Sequence, residues 1–175
     1  MAEYAVVTAV GADRPGLVEE VSKFIFEQSG NIEDSRMVNL RGQFAMMLLV
    51  SATPEALRGM QGSLPVLIQH SGLHIEIRSS GKPLTPPRPA LPYRLKATAL
   101  DQAGLVHRVA HLLRALNVNI ESMQTTLVAA PYTGAPVFEI EMAISVPGDL
   151  PLSQLRGRLS SLCDELNIDW QLAAM

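Results

Sequence analysis

The sequence predicts an α+β protein built from two tandem ferredoxin-like βαββαβ units, each a four-stranded antiparallel sheet with its helices on one face. The first observation is an internal repeat, because the segment Gly11–Val18 returns 88 residues later as Ala99–Val106. The second is that strand-like and helix-like apolar patterns follow each other in the same order in both copies. The third is a run of prolines between the copies. We therefore predict units at residues 1–80 and 93–175, joined by a stiff Pro-rich linker at 81–92.

Each element of the first repeat has a local signal. Residues 4–10 are rich in strand-forming residues and predict a strand. Residues 15–29 repeat apolar residues at helical spacing and predict a helix. We expect Asp13 or Arg14 to cap the start of this helix and Gly30 to end it. Strands at 31–40 and 43–51 are joined by a hairpin turn at Arg41-Gly42. Residues 54–71 are helical, but Gly59, Gly62 and Pro65 predict a break or kink, with Ser63 capping a second segment. A last strand covers 73–78.

The second repeat follows the same plan. Its first helix is expected at 105–116, and its second is cleaner because five leucines hold one face before Asn167 ends the helix. Residues 129–136, rich in Ala, Pro and Gly, lengthen the central hairpin into an exposed loop.

Composition narrows the possible functions. Apolar residues make up 47% of the chain and charged residues 18%, as in an ordered globular protein. The net charge of −3 and the lack of a basic cluster disfavour direct binding to nucleic acid. No signal peptide or membrane span is evident, and the lone Cys163 fits a reducing compartment, so a cytoplasmic location is expected.

The outward faces of the two predicted sheets differ. In repeat two, Arg94, Lys96, Glu139 and Glu141 point away from the helices, which predicts a solvated face with ion pairs between strands. The equivalent outward positions of repeat one are apolar: Val6, Thr8, Val10, Ala45, Met47 and Leu49. We expect Val6, Val10, Met47 and Leu49 to form an interface with a second subunit, a partner protein or the linker.

The turn before each first helix is the leading candidate site. A helix N-terminus presents unpaired N–H groups that can receive a carboxylate, and Gly16 or Gly104 allows a close approach. Asp13 or Asp101 could accept hydrogen bonds from an ammonium group, while Asn31 and Asn119 could donate and accept. The alternative is that each of these residues only caps, turns or ends an element.

Other polar residues give weaker signals. His107 and His111 are four residues apart, as metal ligands can be, but they fall on the polar face of a helix and no third ligand is evident. Cys163 falls on a buried helix face. The sequence therefore gives no indication of a metal site, of a bound cofactor or of enzymatic activity.

The Asp-Arg-Pro-Gly-Leu-Val turn, the Asn-Ile opening of the second strand and the element order resemble the ACT domain, a small regulatory module that senses amino acids. A tandem pair is similar to the family of glycine cleavage system transcriptional repressors. The resemblance implies that an amino acid binds where two units meet, against the turn between first strand and first helix. The residues it implicates are Asp13, Arg14, Gly16, Leu17, Asn31 and Ile32, and in repeat two Asp101, Gly104, Leu105 and Asn119. Because Gln102-Ala103 replaces Arg14-Pro15, repeat one is expected to hold the better site.

The resemblance implies a cytoplasmic regulatory protein, expected to be a homodimer, in which a small amino acid such as glycine is the effector. The partner would be a transcriptional regulator or a metabolic enzyme rather than DNA. The alternative is a protein-interaction module that regulates such a partner without any ligand.

Overall fold

The computed structural model describes residues 2–81, 89–130 and 134–175 and contains two compact units, Met1–Thr85 and Pro86–Met175. Unit 1 consists of β1 (Glu3–Ala12), α1 (Leu17–Glu27), β2 (Asn31–Leu40), β3 (Gln43–Ala52), α2 (Pro54–Ser71) and β4 (His74–Ser80). Unit 2 consists of β5 (Ala90–Leu100), α3 (Leu105–Ala115), β6 (Asn119–Ala129), β7 (Pro136–Pro147), α4 (Leu152–Leu166) and β8 (Asp169–Ala174). The predicted α+β fold and the order of elements are confirmed.

Each unit has one antiparallel sheet, in the order β2-β3-β1-β4 or β6-β7-β5-β8. The first and third strands of each unit are central, and alternate residues of these strands meet the helices in a separate apolar core. In unit 1 the largest fully buried side chains include Phe44, Leu17 and Ile25. The helices therefore cover one face of each sheet and leave the other open.

The hairpin of unit 1 forms where it was predicted. Arg41 and Gly42 both have positive φ, 51° and 80°, which is the backbone that a two-residue turn between twisted strands requires. In unit 2, residues 131–133 at the hairpin tip lie outside the described residues.

The prediction that α2 breaks was wrong. The helix is continuous from Pro54 to Ser71, with the Thr53 hydroxyl capping its start and Gly72 ending it at a φ of 72°. Leu57, Met60 and Leu67 are buried along one side, so tertiary packing outweighs the weak helix propensity of the glycines. Pro65 and Gln61 are exposed, so water can bond the Gln61 carbonyl that Pro65 leaves without a donor.

The start of α1 also differs from expectation. The helix begins at Leu17, and its N-cap is Gly16, with a φ of 97°, rather than Asp13 or Arg14. At its end the left-handed residue is Ser29, with a φ of 59°, rather than Gly30. Gly30 is instead required by packing, because a Cβ there would lie 2.3 Å from Cε of Met60.

Most of the predicted linker, residues 82–88, lies outside the described residues. Its last part belongs to a strand, because β5 starts at Ala90 and Pro92 pairs with Ser145. The Pro92 carbonyl accepts a hydrogen bond from the N–H of Met175, just past the last β8 pair. The missing N–H of Pro92 therefore faces the end of β8 and removes no bond to β7.

Candidate functional site

The β1–α1 turn of unit 1 leaves the first N–H groups of α1 available to a ligand. The N-cap Gly16 has no side chain, and no described residue caps the helix in its place. The first helical bond runs from the N–H of Glu20 to the Gly16 carbonyl at 2.9 Å. The N–H groups of the three residues between them therefore lack helical partners, and with the helix dipole they form an anion-binding end.

Asp13 joins this turn to the β2–β3 hairpin. Its N–H donates to the Gly42 carbonyl at 2.8 Å, and its carboxylate accepts a hydrogen bond from the Asn39 side-chain amide. The side-chain amide oxygen of Asn39, Oδ1, in turn accepts a hydrogen bond from the backbone N–H of Gly42 at 3.1 Å. The Asp13 carboxylate is exposed and keeps accepting capacity for a second donor.

Arg14 is held by this protein's own acceptors. Its guanidinium donates to both carboxylate oxygens of Glu20, at 2.6 and 2.8 Å, and to the Ser71 carbonyl at 3.4 Å. This pair of hydrogen bonds raises the pKa of Arg14 and lowers that of Glu20. Arg14 therefore ties the turn to the end of α2, and a ligand carboxylate would have to compete with Glu20 for it.

An open cavity of about 660 Å³ lies beside the turn. Its lining brings together Asp13, Arg14, Pro15, Gly16, Leu17, Val18, Glu19, Ser22, Met37 and Phe44. The polar groups are therefore at the turn, while the walls from α1, β2 and β3 are mostly apolar. Met37 and Phe44 were not predicted, because only the folded sheet brings β2 and β3 beside α1, and Ser22 of α1 was not predicted either.

The equivalent turn of unit 2 has the same backbone with different side chains. Gly104 is its N-cap with a φ of 91°, and the N–H of Asp101 donates to the Pro136 carbonyl at 3.0 Å. Gln102 donates to the Leu166 carbonyl at 3.1 Å, which is the same link to the end of the second helix that Arg14 makes in unit 1. Leu127 replaces Asn39, so this position offers no amide to Asp101.

Asn31 and Ile32 are not near the turn that contains Asp13. Asn31 pairs with Ser51 at one end of the sheet, whereas Asp13 follows Ala12 at the other end, about 30 Å away at the usual rise of a strand. The Asn31 amide donates to Glu33 at 3.1 Å, and the Ser51 hydroxyl donates to the same carboxylate oxygen. These two hydrogen bonds lower the pKa of Glu33.

The same arrangement occurs in unit 2. The Asn119 amide donates to Glu121 at 2.8 Å, and hydrogen bonds from Ser145 and Asn119 lower the pKa of Glu121. In both units the glutamate is the residue skipped by the strand register, so it forms a β-bulge. The repeated Asn-Ile-Glu motif therefore has a structural role at the bulge within each unit.

The open sheet faces differ as the sequence predicts. In unit 1, Val10 is 47% and Met47 55% exposed, and Val6 and Leu49 on the same face are half-buried. In unit 2, Glu141 lies 3.5 Å from both Arg94 and Lys96, so charges on neighbouring strands pair.

Residues 3–78 match the family model of the ACT domain. Unit 1 is thus similar to an ACT domain. The whole chain is 28% identical over 164 residues to the glycine cleavage system transcriptional repressor of Escherichia coli K12, which covers 94% of this chain and 86% of that protein.

Two solved structures share the fold of this chain over its whole length. An unknown protein from Galdieria sulphuraria gives a TM-score of 0.88 at 28% identity, covering 100% of this chain and 99% of that one. A structure described as a glycine cleavage system transcriptional repressor gives 0.74 at 23% identity, covering 100% and 98%. The second likeness shows the fold alone.

The weaker candidate residues lie either on the surface or in a core. His107 and His111 are exposed, and their ring centroids are 6.1 Å apart. Within the described ranges, no group of three or more His, Cys, Asp or Glu residues could hold a metal ion. Cys163 is buried in the core of unit 2, and burial raises its thiol pKa to about 11. No helix in the described part of the chain could span a membrane.

Proposed function

We propose that this chain is an amino-acid-sensing regulatory protein whose effector binds at the β1–α1 turn of unit 1. The observation that carries the proposal is the uncapped N-terminus of α1, which adjoins the open cavity beside Asp13. The volume, about 660 Å³, is within the usual range for small-molecule sites. The similarity to the repressor of E. coli and the ACT match of unit 1 support the same assignment.

The turn offers complementary groups to a zwitterion. The carboxylate of the amino acid accepts hydrogen bonds from the N–H groups of Leu17, Val18 and Glu19, where the helix dipole favours a negative charge. Its ammonium group donates to the exposed Asp13 carboxylate. Arg14 acts as a positioning residue, because its guanidinium already binds Glu20 and Ser71.

A second ACT unit completes the site. The cavity is open, and two apolar residues of its lining, Val18 and Met37, are 43% and 54% exposed. Asn31 can contribute only from another copy of the chain, because its own unit holds it at the opposite end of the sheet. The amino acid therefore binds at an interface between ACT units and stabilises that assembly.

The regulatory output is a change in affinity for a protein partner, a transcriptional regulator or a metabolic enzyme. The ligand produces such a change only if it binds two interface arrangements with different affinity. The net charge of −3 favours a protein partner over DNA. We place this non-catalytic activity in the cytoplasm, where the lone Cys163 would stay reduced.

Titration calorimetry tests the site. Wild-type protein is titrated with glycine, serine, and aromatic and branched amino acids, and with acetate as a carboxylate lacking the ammonium group. For the amino acid that binds, Asp13→Asn is expected to lower affinity by about tenfold or more, because a hydrogen bond to a charged group contributes about 1.5–3 kcal/mol. Asn at this position still accepts the hydrogen bond from Asn39.

Asp101→Asn is the matched control, since Asp101 occupies the same place in unit 2. It should leave the affinity unchanged. No heat from any amino acid with folded wild-type protein, or an equal loss in both variants, would contradict a site in unit 1.

The alternative is a ligand-independent interaction module, and the exposed apolar face of unit 1 favours it. It is tested by pulling down the partner at increasing amino-acid concentrations. Equal recovery at every concentration would support the alternative, and a change with the same amino acid seen by calorimetry would support the sensor.

A further inference from the structure

The open sheet face of unit 1 has charged edges and an apolar centre. Pairing of β2, β3, β1 and β4 aligns residues into rows that cross the sheet. One row contains Asp34, Leu49, Val6 and Arg78, and the next contains Arg36, Met47, Thr8 and Glu76. A third row contains Val38, Ala45, Val10 and His74. We call this surface the unit 1 face.

The charges at its two edges run in opposite order. The β2 edge presents Asp34 and then Arg36, while the β4 edge presents Arg78 and then Glu76 in the same two rows. Each edge pair also forms its own ion pair, at 2.5 and 2.8 Å, and both arginine side chains are more than three-quarters exposed. Each of these two rows therefore has an acid at one end and a base at the other, whereas the third row has Val38 and His74 at its ends.

We propose that the unit 1 face binds the same face of a second copy, around a two-fold axis parallel to the strands. Such an axis places β2 of one copy over β4 of the other without changing the row. Asp34 then faces Arg78 of the second copy, and Arg36 faces its Glu76, with each contact repeated by symmetry. The pattern on a single chain is thus complementary to itself.

The apolar centre fits the same axis. It places β3 over β1 of the second copy, so that Leu49 meets Val6, Met47 meets Thr8 and Ala45 meets Val10, a larger residue facing a smaller one in each case. A two-fold axis in the interface plane but perpendicular to the strands also brings opposite charges together. That axis, however, places two large side chains, Leu49 and Met47, against each other. Beside Asp34 there is a depression of about 130 Å³, lined also by Val6, Met47 and Leu49, which receives Arg78 of the second copy.

The area of the face is sufficient for a specific dimer. Four strands spaced about 4.8 Å apart, with about 10 residues at about 3.3 Å each, give a face of about 600 Å². Two such faces bury about 1,200 Å², the lower end of the range for stable interfaces. Two sheets packed in this way keep their strands nearly aligned.

The open face of unit 2 has the reverse arrangement. Its charges lie at the centre, where Glu141 pairs with Arg94 and Lys96, while Ser122 and Ala173 occupy the edge positions equivalent to Asp34 and Arg78. A central charge buried against another protein needs a partner in that protein, whereas these charges are already paired within their own sheet. The proposal therefore applies to unit 1 alone.

Sedimentation analysis of charge variants tests the proposal. Asp34→Arg places two arginines opposite each other and should halve the mass measured for the wild type, and Arg78→Asp should do the same from the other edge. The double variant Asp34→Arg with Arg78→Asp should restore the wild-type mass. Within one chain these two residues lie three strands apart, about 14 Å, which exceeds the Debye length of about 10 Å at 0.1 M salt. Rescue can therefore arise only between copies.

Ser122→Arg is the matched control, because it adds the same residue at the equivalent place in unit 2, and it should leave the mass unchanged. Circular dichroism of each variant verifies folding, and Met47→Asp provides a dissociating variant that does not depend on the edge charges. A wild-type mass near 19.0 kDa would overturn the proposal. Unchanged mass in folded Asp34→Arg, or no rescue by the double variant, would also overturn it.

These variants leave the cavity at the β1–α1 turn intact. The proposed axis keeps Asn31 of one copy and Asp13 of the other at opposite ends of the strands, so the face contact is separate from the contact that completes the ligand site. Amino-acid binding measured by calorimetry should therefore survive in Asp34→Arg. Failure of the face interaction and failure of the proposed sensor function are thus separate results.

Discussion

The β1–α1 turn of unit 1 and the β5–α3 turn of unit 2 make hydrogen bonds to the same neighbouring elements, but with different side chains. In both turns the aspartate N–H bonds the adjacent hairpin, and the next residue bonds the last carbonyl of the second helix. Only in unit 1 does that residue also bind a carboxylate, that of Glu20. The comparison shows that the repeated residues build the turn, while the residues that differ set its charge.

The largest expected effect comes from exchanging Gly30 and Val118. Both residues donate their N–H, at 2.9 Å, to a carbonyl in the last turn of the first helix of their unit, Ile25 or Leu113, so they are equivalent positions. Gly30→Val would press a side chain into Met60 and Ile25, and overpacking of this kind costs about 1–3 kcal/mol. Val118 itself is buried in unit 2, so Val118→Gly should destabilise that unit instead.

Urea unfolding can assign each of these effects to a unit. Trp170 is the single tryptophan and lies in unit 2, so its fluorescence follows that unit, while circular dichroism follows both. Gly30→Val should shift the circular dichroism transition and leave the fluorescence transition in place. A shift of fluorescence by Gly30→Val would show that the two units do not unfold independently.

A smaller effect is expected from Pro65→Ala in α2. Pro65 removes one helical hydrogen bond in an unbroken helix, and proline in a helix interior costs about 3 kcal/mol. Part of this cost is offset because proline also restricts the unfolded chain, so we expect unit 1 to gain about 1–2 kcal/mol. Ser160→Ala, at the same distance from the end of α4, is the control and should change unfolding very little. An unchanged or lower urea midpoint for Pro65→Ala would contradict this account.

The smallest effect is expected from Arg14→Gln, which gives unit 1 the residue that unit 2 has. The new amide should keep the bond to the Ser71 carbonyl, as Gln102 does to Leu166, while Glu20 loses its partner. Because the pKa of Glu20 is lowered in the folded protein, the pair stabilises it above the ordinary carboxyl pKa. That contribution is lost as pH falls through the lowered pKa.

The melting temperatures of wild type and Arg14→Gln should therefore differ slightly at pH 7 and converge as the pH falls below the lowered pKa of Glu20. When both proteins also carry Glu20→Gln, the pH-dependent difference in melting temperature should be smaller, because the other member of the pair is absent. A constant difference between wild type and Arg14→Gln across this pH range would exclude the ion pair as its cause.

Local sequence signals were enough to predict the strands and the hairpin of unit 1. The bounds of β2 were predicted correctly because Gly30 precedes it and Arg41-Gly42 follows it. The continuity of α2 was not predictable, because Pro65 and the glycines oppose a helix locally and only the packing of Met60 and its neighbours outweighs them.

Part of the candidate site could not be predicted from the sequence either. The turn with Asp13 and Gly16 could be identified from its repeat, but Met37 and Phe44 reach the cavity only through sheet pairing. Asn31 was grouped with the turn because its amide can donate and accept hydrogen bonds and because the resemblance to the ACT domain implicates it. Its repetition is explained by the bond to Glu33, a local contact that the sequence pattern alone does not distinguish from ligand binding.

The β-bulge at Glu33 has a further consequence for solubility. β2 is an edge strand, and all ten of its residues are exposed, which would make a regular strand a template for aggregation. The extra residue breaks the register between Ile32 and Asp34, and the Asn31 and Ser51 hydrogen bonds hold it there. A foreign strand approaching this edge could therefore pair along only part of its length, so the motif protects the sheet against edge-to-edge association.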